Sequence, residues 1–371
     1  MKALVREADD SDDAALCELF ARVAMEGDLS LAVEREPSFF ALYELQRLIA
    51  RRVFVAEVEG KIEGVAAYLA RRGHLGGRVV PVGYLGDLRL GPRLRGGFFF
   101  GRRFGPRFRA CLADSNAEVA LTAVLATNRA ALRFLTRRSR RFPDKPVYRP
   151  WRAFSILNVH FTRRRRPRPT RLEVRRATSA DLPEVAALLA RDHARRPFGY
   201  VFDEELLRER LARWPGLRLE DFYLAFRGGE LVGATALWDA HAVKRFRVLA
   251  YRGSMRWLRL GFNLGAPFLG CAPLPPAGGV LRYAYLTHTS IPSEDPDVLA
   301  ALFDRLYADA HGRGYAFVST YVEDGDPLGA AFARYRCTPL PARLFTVSPP
   351  GSPWNERDPG AGRPGFEMAL V

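Results

Sequence analysis

The sequence predicts an α/β (α+β) protein built from two tandem copies of one unit, and three pairs of segments predict it. LVREADDSDDAALCELFARV starts at residue 4 and EVRRATSADLPEVAALLARD at residue 173, an offset of 169; each reads as a short strand, a Ser/Asp cap and apolar residues at helical spacing. VFVAEVEGKIEGVAAYLARR starts at 53 and FYLAFRGGELVGATALWDAH at 222, again offset by 169, and both read as two alternating strands around a glycine-bearing turn. GYLGDLRL at 83–90 and AYLTHTSI at 284–291 are offset by 201, so the second copy gains about 32 residues, placed within roughly 240–282.

Along each copy the order is strand, helix, helical region, hairpin, strand, loop, helix, strand, helix and final strands, an α/β layout. FTRRRRPRPTR at 161–171 joins consecutive arginines to prolines, suits neither a helix nor a central strand, and reads as a solvated connector. The expected organisation is a first domain over 1–161, a basic linker over 162–171 and a second domain over 172–371. A chain of 371 residues is long enough for two buried cores.

Composition narrows the function. The start, MKALVREADDSDD, has no apolar signal region, and no apolar run approaches the roughly 20 residues of a membrane span, so a cytoplasmic protein is expected. Cys17, Cys111, Cys271 and Cys337 stand far apart, with no CxxC pair and no histidine at zinc-ligand spacing, so neither a disulfide framework nor a metal site is expected. The net charge of +16 favours a polyanionic partner or an acidic ligand. Arginine-mediated binding of nucleic acid or an anionic surface stays open but is not favoured, because the arginines are spread through the chain without a groove-reading motif.

The loop LRLGPRLRGGFFFG at 88–101 follows an apolar strand with arginines and paired glycines. Glycines let main-chain N–H groups approach phosphate oxygens, a following helix presents the positive end of its dipole, and Arg93 and Arg95 add charge-assisted bonds. Gly101, Gly105 and Pro106 predict that this helix is kinked or broken. VALTAVLATNRAALRFL at 119–135 then gives an apolar strand, Asn128 and a further helix.

In this order of elements and these motifs the chain resembles the GNAT superfamily of N-acetyltransferases over nearly the whole of both copies. The resemblance implies, in each copy, a mixed, mostly antiparallel sheet splayed between its fourth and fifth strands to admit the pantetheine of acetyl-CoA. It implies transfer from acetyl-CoA or another short acyl-CoA to an amine in the first copy, with no metal. The implied cofactor contacts are Leu88, Arg89, Leu90, Arg93, Arg95, Gly96, Gly97 and Phe98 on the fourth strand and loop, with Asn128 and Ala131 beyond. Arg93 and Gly96 match the family's pyrophosphate loop, whereas Phe98 stands where the family has a small residue. Val124, Asn128, Ala131 and Phe134 match its later pattern, whereas Leu135 replaces the tyrosine that protonates the departing thiolate. Asn128 also suits a helix cap.

The resemblance further implies a carboxylate on the fourth strand as base, and Asp87 occupies that strand; a structural ion pair with a neighbouring arginine is its alternative. Tyr84, three residues earlier, is expected on the opposite face by strand alternation. The proton for the thiolate then comes from a water or another hydroxyl, such as Tyr43 or Tyr148. In the second copy Glu294, Asp295 and Asp297 stand at the loop, where carboxylates repel coenzyme A and suit a helix start capped by Ser293. The second copy is therefore expected to be degenerate, serving structure or acceptor specificity. His74 is expected in a solvated hairpin loop and His288 in the core.

The insertion reads as a basic amphipathic helix followed by proline-rich coil. Its Phe246, Leu249, Trp257, Leu260 and Leu264 are expected to be buried as a cover over the lobes, with a membrane surface or an acyl chain as the alternative contact. The competing function is a non-catalytic pseudo-acetyltransferase that binds a ligand or a protein.

Overall fold

The structure, a computed structural model, describes residues 3–94, 98–137 and 142–371, with the main chain alone at residue 3 and at 98–102. The first copy lays down β1 (Ala3–Glu7), α1 (Asp13–Arg22), β2 (Leu29–Arg35), the short α2 (Ala41–Glu44), β3 (Ala50–Val58), β4 (Lys61–Leu75), β5 (Arg78–Leu90), α3 (Phe98–Asp114), β6 (Ala120–Leu125), α4 (Arg129–Thr136) and β7 (Val147–His160). The second follows with β8 (Glu173–Arg176), α5 (Leu182–Ala194), β9 (Gly199–Tyr200), α6 (Glu204–Arg213), β10 (Phe222–Arg227) and β11 (Glu230–Trp238). It continues with β12 (Lys244–Tyr251), α7 (Ser254–Leu269), β13 (Val280–Leu281), β14 (Tyr283–Ser290), α8 (Pro296–Ala310), β15 (Phe317–Glu323) and β16 (Cys337–Ser348).

The repeat holds down to single contacts. Arg6 pairs with Asp12 at 2.6 Å and Arg175 with Asp181 at 2.6 Å. Each of these carboxylates also accepts from a main-chain N–H three residues earlier, closing the start of the copy's first helical segment. The hairpin turns Glu59–Gly60 and Gly228–Gly229 have positive φ at both central residues, the geometry whose twist matches the flanking strands.

One sheet runs through both copies in the order β1-β3-β4-β5-β6-β16-β7-β15-β14-β11-β10-β8, with β9 added against β4. Read inward from either edge, the strands follow the same sequence of roles, and the two halves meet at β16 and β7. Each closing strand lies in the other copy's half: β16 pairs with β6, and β7 pairs with β15. The two also pair with each other from Cys337↔Val159 to Ser348↔Val147. Main-chain hydrogen bonds therefore tie together residues on either side of 162–171. The apolar core crosses in the same way, because Ala41 and Leu42 cluster with Phe154, Trp214, Trp238 and Tyr285, and the Trp214 indole donates to the Leu45 carbonyl at 3.0 Å.

Two expectations about helices are corrected here. Of a kinked or a broken α3, the break is not found: the helix runs over 17 residues with Pro106 inside it. Gly105 is needed at a close approach, since a Cβ would stand 2.3 Å from the Asp144 carbonyl oxygen. The insertion begins as a strand and not a helix: β12 pairs with β2 and β13 in a separate three-stranded sheet. Its helix is α7, and the expected burial fails, with Leu249 40%, Trp257 75%, Leu260 52% and Leu264 77% exposed and only Phe246 partly covered. The periodicity showed an amphipathic helix but not which stripe meets the protein, and here the protein side is taken by Met255, Arg259, Phe262, Asn263 and Ala266, all at least partly buried.

Because each copy's closing strand is hydrogen-bonded into the other half, cutting the connector should not separate the halves. A protease site placed between Arg165 and Arg166 and cleaved should leave two fragments that elute together as one particle in size-exclusion chromatography without denaturant. Separate elution would contradict the exchanged sheet.

Candidate active site

β5 carries a bulge at which two residues, Asp87 and Leu88, oppose one on β4: the register steps from Val65↔Arg89 to Ala67↔Gly86, and Asp87 takes φ of 52°. β14 repeats it. Its register steps from Ala234↔Ser290 to Ala236↔Thr287, and His288 takes φ of 51°. Asp87 and His288 are thus equivalent positions. Before the bulge the strands already part from their parallel neighbours. β5 pairs with β6 only at Gly83↔Ala120 and Tyr84↔Leu121, and β14 with β15 only from Tyr283↔Phe317 to Tyr285↔Ser319. A wedge opens beyond in each copy.

Asp87 is held by two neighbours. Arg35 of β2 donates to Oδ1 at 2.9 Å and the Tyr43 hydroxyl to Oδ2 at 2.5 Å. Burial alone would raise the Asp87 pKa, but Arg35, the Tyr43 hydrogen bond and the charges of Arg89 and Lys244 outweigh it, and the carboxyl titrates below its ordinary range. Tyr43 moves the other way: burial and the Asp87 charge push its phenol well above 10, so it stays a donor. The Arg35 side chain is 1% exposed, and its Nε and Nη1 have no hydrogen-bond partner among the described residues. Lys244, from β12 of the insertion, donates to the main-chain oxygen of Val371, and burial followed by Arg35 pulls its pKa down to about 7. Tyr84, three residues before Asp87, has its phenol pushed well up, by burial first and by the Asp87 charge second.

The remaining expected contacts are spread around this cluster. Arg89 turns inward, with Nη1 on the Val23 carbonyl at 2.7 Å and its guanidinium over the Phe20 ring, and burial lowers its pKa to about 10. Leu88 is 39% exposed, and Leu90 packs on Ala56, Val58 and Leu94. Arg93 sits in the short turn Pro92–Leu94 and pairs with Glu59 at 3.0 Å at the surface. Arg95, Gly96 and Gly97 lie outside the described residues, as does the Phe98 side chain. Asn128 caps α4, accepting from the Ala131 N–H at 3.1 Å, while Ala131 and Phe134 pack against the cluster that buries Leu135. Tyr148 belongs to that cluster too, and only Tyr43 of the two candidate hydroxyls touches Asp87.

In the second copy His288 is buried beside Arg210. A guanidinium can only donate, so its 2.9 Å contact makes His288 Nε2 the acceptor and leaves the ring proton on Nδ1, 3.1 Å from the Thr287 hydroxyl. That hydroxyl donates to Glu367 Oε2 at 2.8 Å. Burial and Arg210 hold the His288 pKa well below 6.5; His193, accepting from the Tyr200 N–H, is lowered by burial and then by Arg196. The loop after β14 ends on Asp295, not Ser293, as the cap of α8, with the Asp295 carboxylate paired to Arg227 at 2.9 Å. His74 lies within β4 opposite Gly199 of β9 and not in a solvated loop. Sequence reasoning missed Arg35, Lys244 and Arg210; the one visible signal was that Lys244 is among only four lysines in the chain.

No family model matches the chain, and no curated protein sequence matches it. Solved structures do. A tandem GNAT protein from the clavulanic acid biosynthesis pathway aligns over 94% of this chain and 99% of its own at 12% identity, with a TM-score of 0.56. A GCN5-related N-acetyltransferase from Sphaerobacter thermophilus covers 100% and 98% at 15% identity and 0.58. Saccharomyces cerevisiae N-myristoyltransferase, with bound myristoyl-CoA and inhibitors, covers 100% and 83% at 10% identity and 0.61. The chain has the tandem GNAT fold.

Replacing Asp87 by Ala leaves the Arg35 charge buried without its partner and should cost about 3–5 kcal/mol in urea unfolding. Since the folded pKa lies below the unfolded one, this contribution should be intact above the ordinary Asp value of 3.8 and vanish as pH falls beneath it. A wild-type and variant stability difference unchanged at pH 3 would refute that. His193 and His288 work at higher pH: the unfolded chain binds protons that the buried rings refuse, so the melting temperature should fall as pH drops from 6.5 toward 5. His288→Gln should flatten that slope, and a melting temperature constant over this range would count against neutral buried rings.

Proposed function

We propose that the protein is an acyltransferase that moves an acetyl or other short acyl group from acyl-CoA to an amine acceptor. The chemistry takes place in the first copy, 1–161, and the second, 172–371, serves structure or acceptor specificity. The observation that carries this reading is the contrast between two helix starts. The first turn of α3 holds no acidic residue and follows a loop with Arg93 and Arg95 in the sequence, so its dipole suits a pyrophosphate. The start of α8 already holds a carboxylate of its own, Asp295, with Asp297 in the first turn. The fold supports the reading, since the similar N-myristoyltransferase structure contains bound myristoyl-CoA.

The acceptor ammonium must lose a proton before its nitrogen attacks the thioester carbon, and the coenzyme A sulfur must gain one as the C–S bond breaks. We assign both transfers to Asp87 and Tyr43, which share a 2.5 Å hydrogen bond. The ammonium proton goes to Asp87, which is ionised at neutral pH. Asp87 passes that proton to solvent; as the tetrahedral intermediate collapses, the Tyr43 proton goes to the thiolate, Asp87 takes the second proton that the attacking nitrogen loses and hands it to Tyr43, so the pair ends the turnover as it began. Arg35 fixes the carboxylate, and Leu135 needs no hydroxyl in this scheme.

Titration calorimetry with acetyl-CoA tests the assignment. Arg95→Glu should weaken binding by about 1–3 kcal/mol, the scale of a lost charge-assisted hydrogen bond, while Asp295→Asn should bind normally. The reverse pattern would move the site to the second copy. Asp87→Asn should lower turnover by about 10²–10⁴ while acetyl-CoA affinity is kept; unchanged turnover would remove Asp87 from the chemistry.

A further inference from the structure

α7 turns its apolar stripe away from the protein. Trp257, Leu260, Leu264 and Phe268 follow one another at helical spacings of three and four and form a single outward ridge, with Phe268 92% exposed. The helix is nonetheless firmly seated on its other side. Asn263 exchanges hydrogen bonds with the main chain of Leu274, Arg259 donates to the Pro275 carbonyl, and Ala266 is buried. The ridge is therefore a fixed feature of the surface, larger than the scattered apolar residues of an ordinary exterior.

Charge says what covers it. From Asp239 to Glu294 the sequence has no intervening carboxylate side chain; of its cations Lys244 is buried, Arg245 and Arg247 pair with Glu34 and Glu36 and Arg282 with Asp239, which leaves Arg252, Arg256 and Arg259 without a paired acid among the described residues. Arg252 and Arg256 are exposed at the N-terminal end of α7, and neither side chain forms an ion pair or hydrogen bond among the described residues. Cations there oppose the helix dipole, an arrangement that an anionic surface relieves. A second copy of the chain does not fit, because it brings a net charge of +16 and the same acid-free basic segment against this one.

We propose that α7 docks on the surface of an anionic lipid bilayer, with Trp257, Leu260, Leu264 and Phe268 entering the headgroup and acyl boundary and Arg252 and Arg256 meeting lipid phosphates. The helix lies in the interface and does not cross it; among the described residues no helix is long and apolar enough to span a membrane. The inference stands on α7 alone and does not depend on acyl transfer.

Flotation of the full chain with vesicles tests it. Vesicles of phosphatidylcholine and phosphatidylserine at 3:1 should carry the protein to the top of the gradient, and vesicles of phosphatidylcholine alone should carry at least tenfold less. Trp257→Ser combined with Leu264→Ser should reduce recovery on the anionic vesicles by tenfold or more, and Arg252→Glu with Arg256→Glu should do the same. These side chains are exposed, so melting temperatures should be unchanged. The proposal is overturned if wild type ignores anionic vesicles, or if binding survives the Trp257 and Leu264 changes. It is overturned equally if those changes abolish concentration-dependent self-association of the free protein, which would make the ridge a contact between copies.

Discussion

The exchange of closing strands between the two copies is the constraint on which the rest of this structure depends. β7 leaves the first copy to lie between β16 and β15, and β16 leaves the second to lie between β6 and β7. The main-chain bonds of both strands would be left unpaired at an edge if either half stood alone, so neither half has a complete sheet of its own. The exchange also fixes the two wedges in one rigid frame, because β6 and β15, the strands that part from β5 and β14, are both braced from behind by a strand of the other copy. Elements that reach between the halves follow from it, including the pairing of β12 with β2 that carries Lys244 into the Asp87 cluster.

Within that frame the two copies have parted chemically at equivalent atoms. The bulge that lifts residue 87 on β5 also lifts residue 288 on β14, and a bulge serves to re-aim a side chain. In the first copy the re-aimed side chain is a carboxylate held ionised by arginine and tyrosine. In the second it is a histidine held neutral by arginine and connected through Thr287 to Glu367. The helix starts beyond the bulges diverge in the same sense, one flanked by arginines and the other capped by its own aspartate.

Much of the fold was legible in the sequence because repeats preserve spacing. The 169-residue offset found the paired caps and hairpins, and Arg6–Asp12 and Arg175–Asp181 show that the spacing reflected real contacts. Strand exchange left no mark, since a closing strand has the same pattern whichever neighbour it takes. The bulge was equally hidden: alternation assigns faces only along an unbroken strand, and Asp87 sits where the strand is broken. The Asp87–arginine pair was foreseen as a possibility, yet its partner Arg35 lies 52 residues away in sequence on β2, beyond any local pattern. For α7 the hydrophobic pattern was legible and its direction was not, because periodicity does not distinguish a face that meets protein from one that meets solvent or lipid.

Hydrogen–deuterium exchange with and without acetyl-CoA decides whether the acyl-CoA pyrophosphate sits at the start of α3 and not at the equivalent start of α8. Main-chain amides across 91–102, at the loop and first turn of α3, should exchange more slowly with acetyl-CoA bound, and those across 291–300 at the start of α8 should be unchanged. Protection of 291–300 with 91–102 unaffected would contradict that placement.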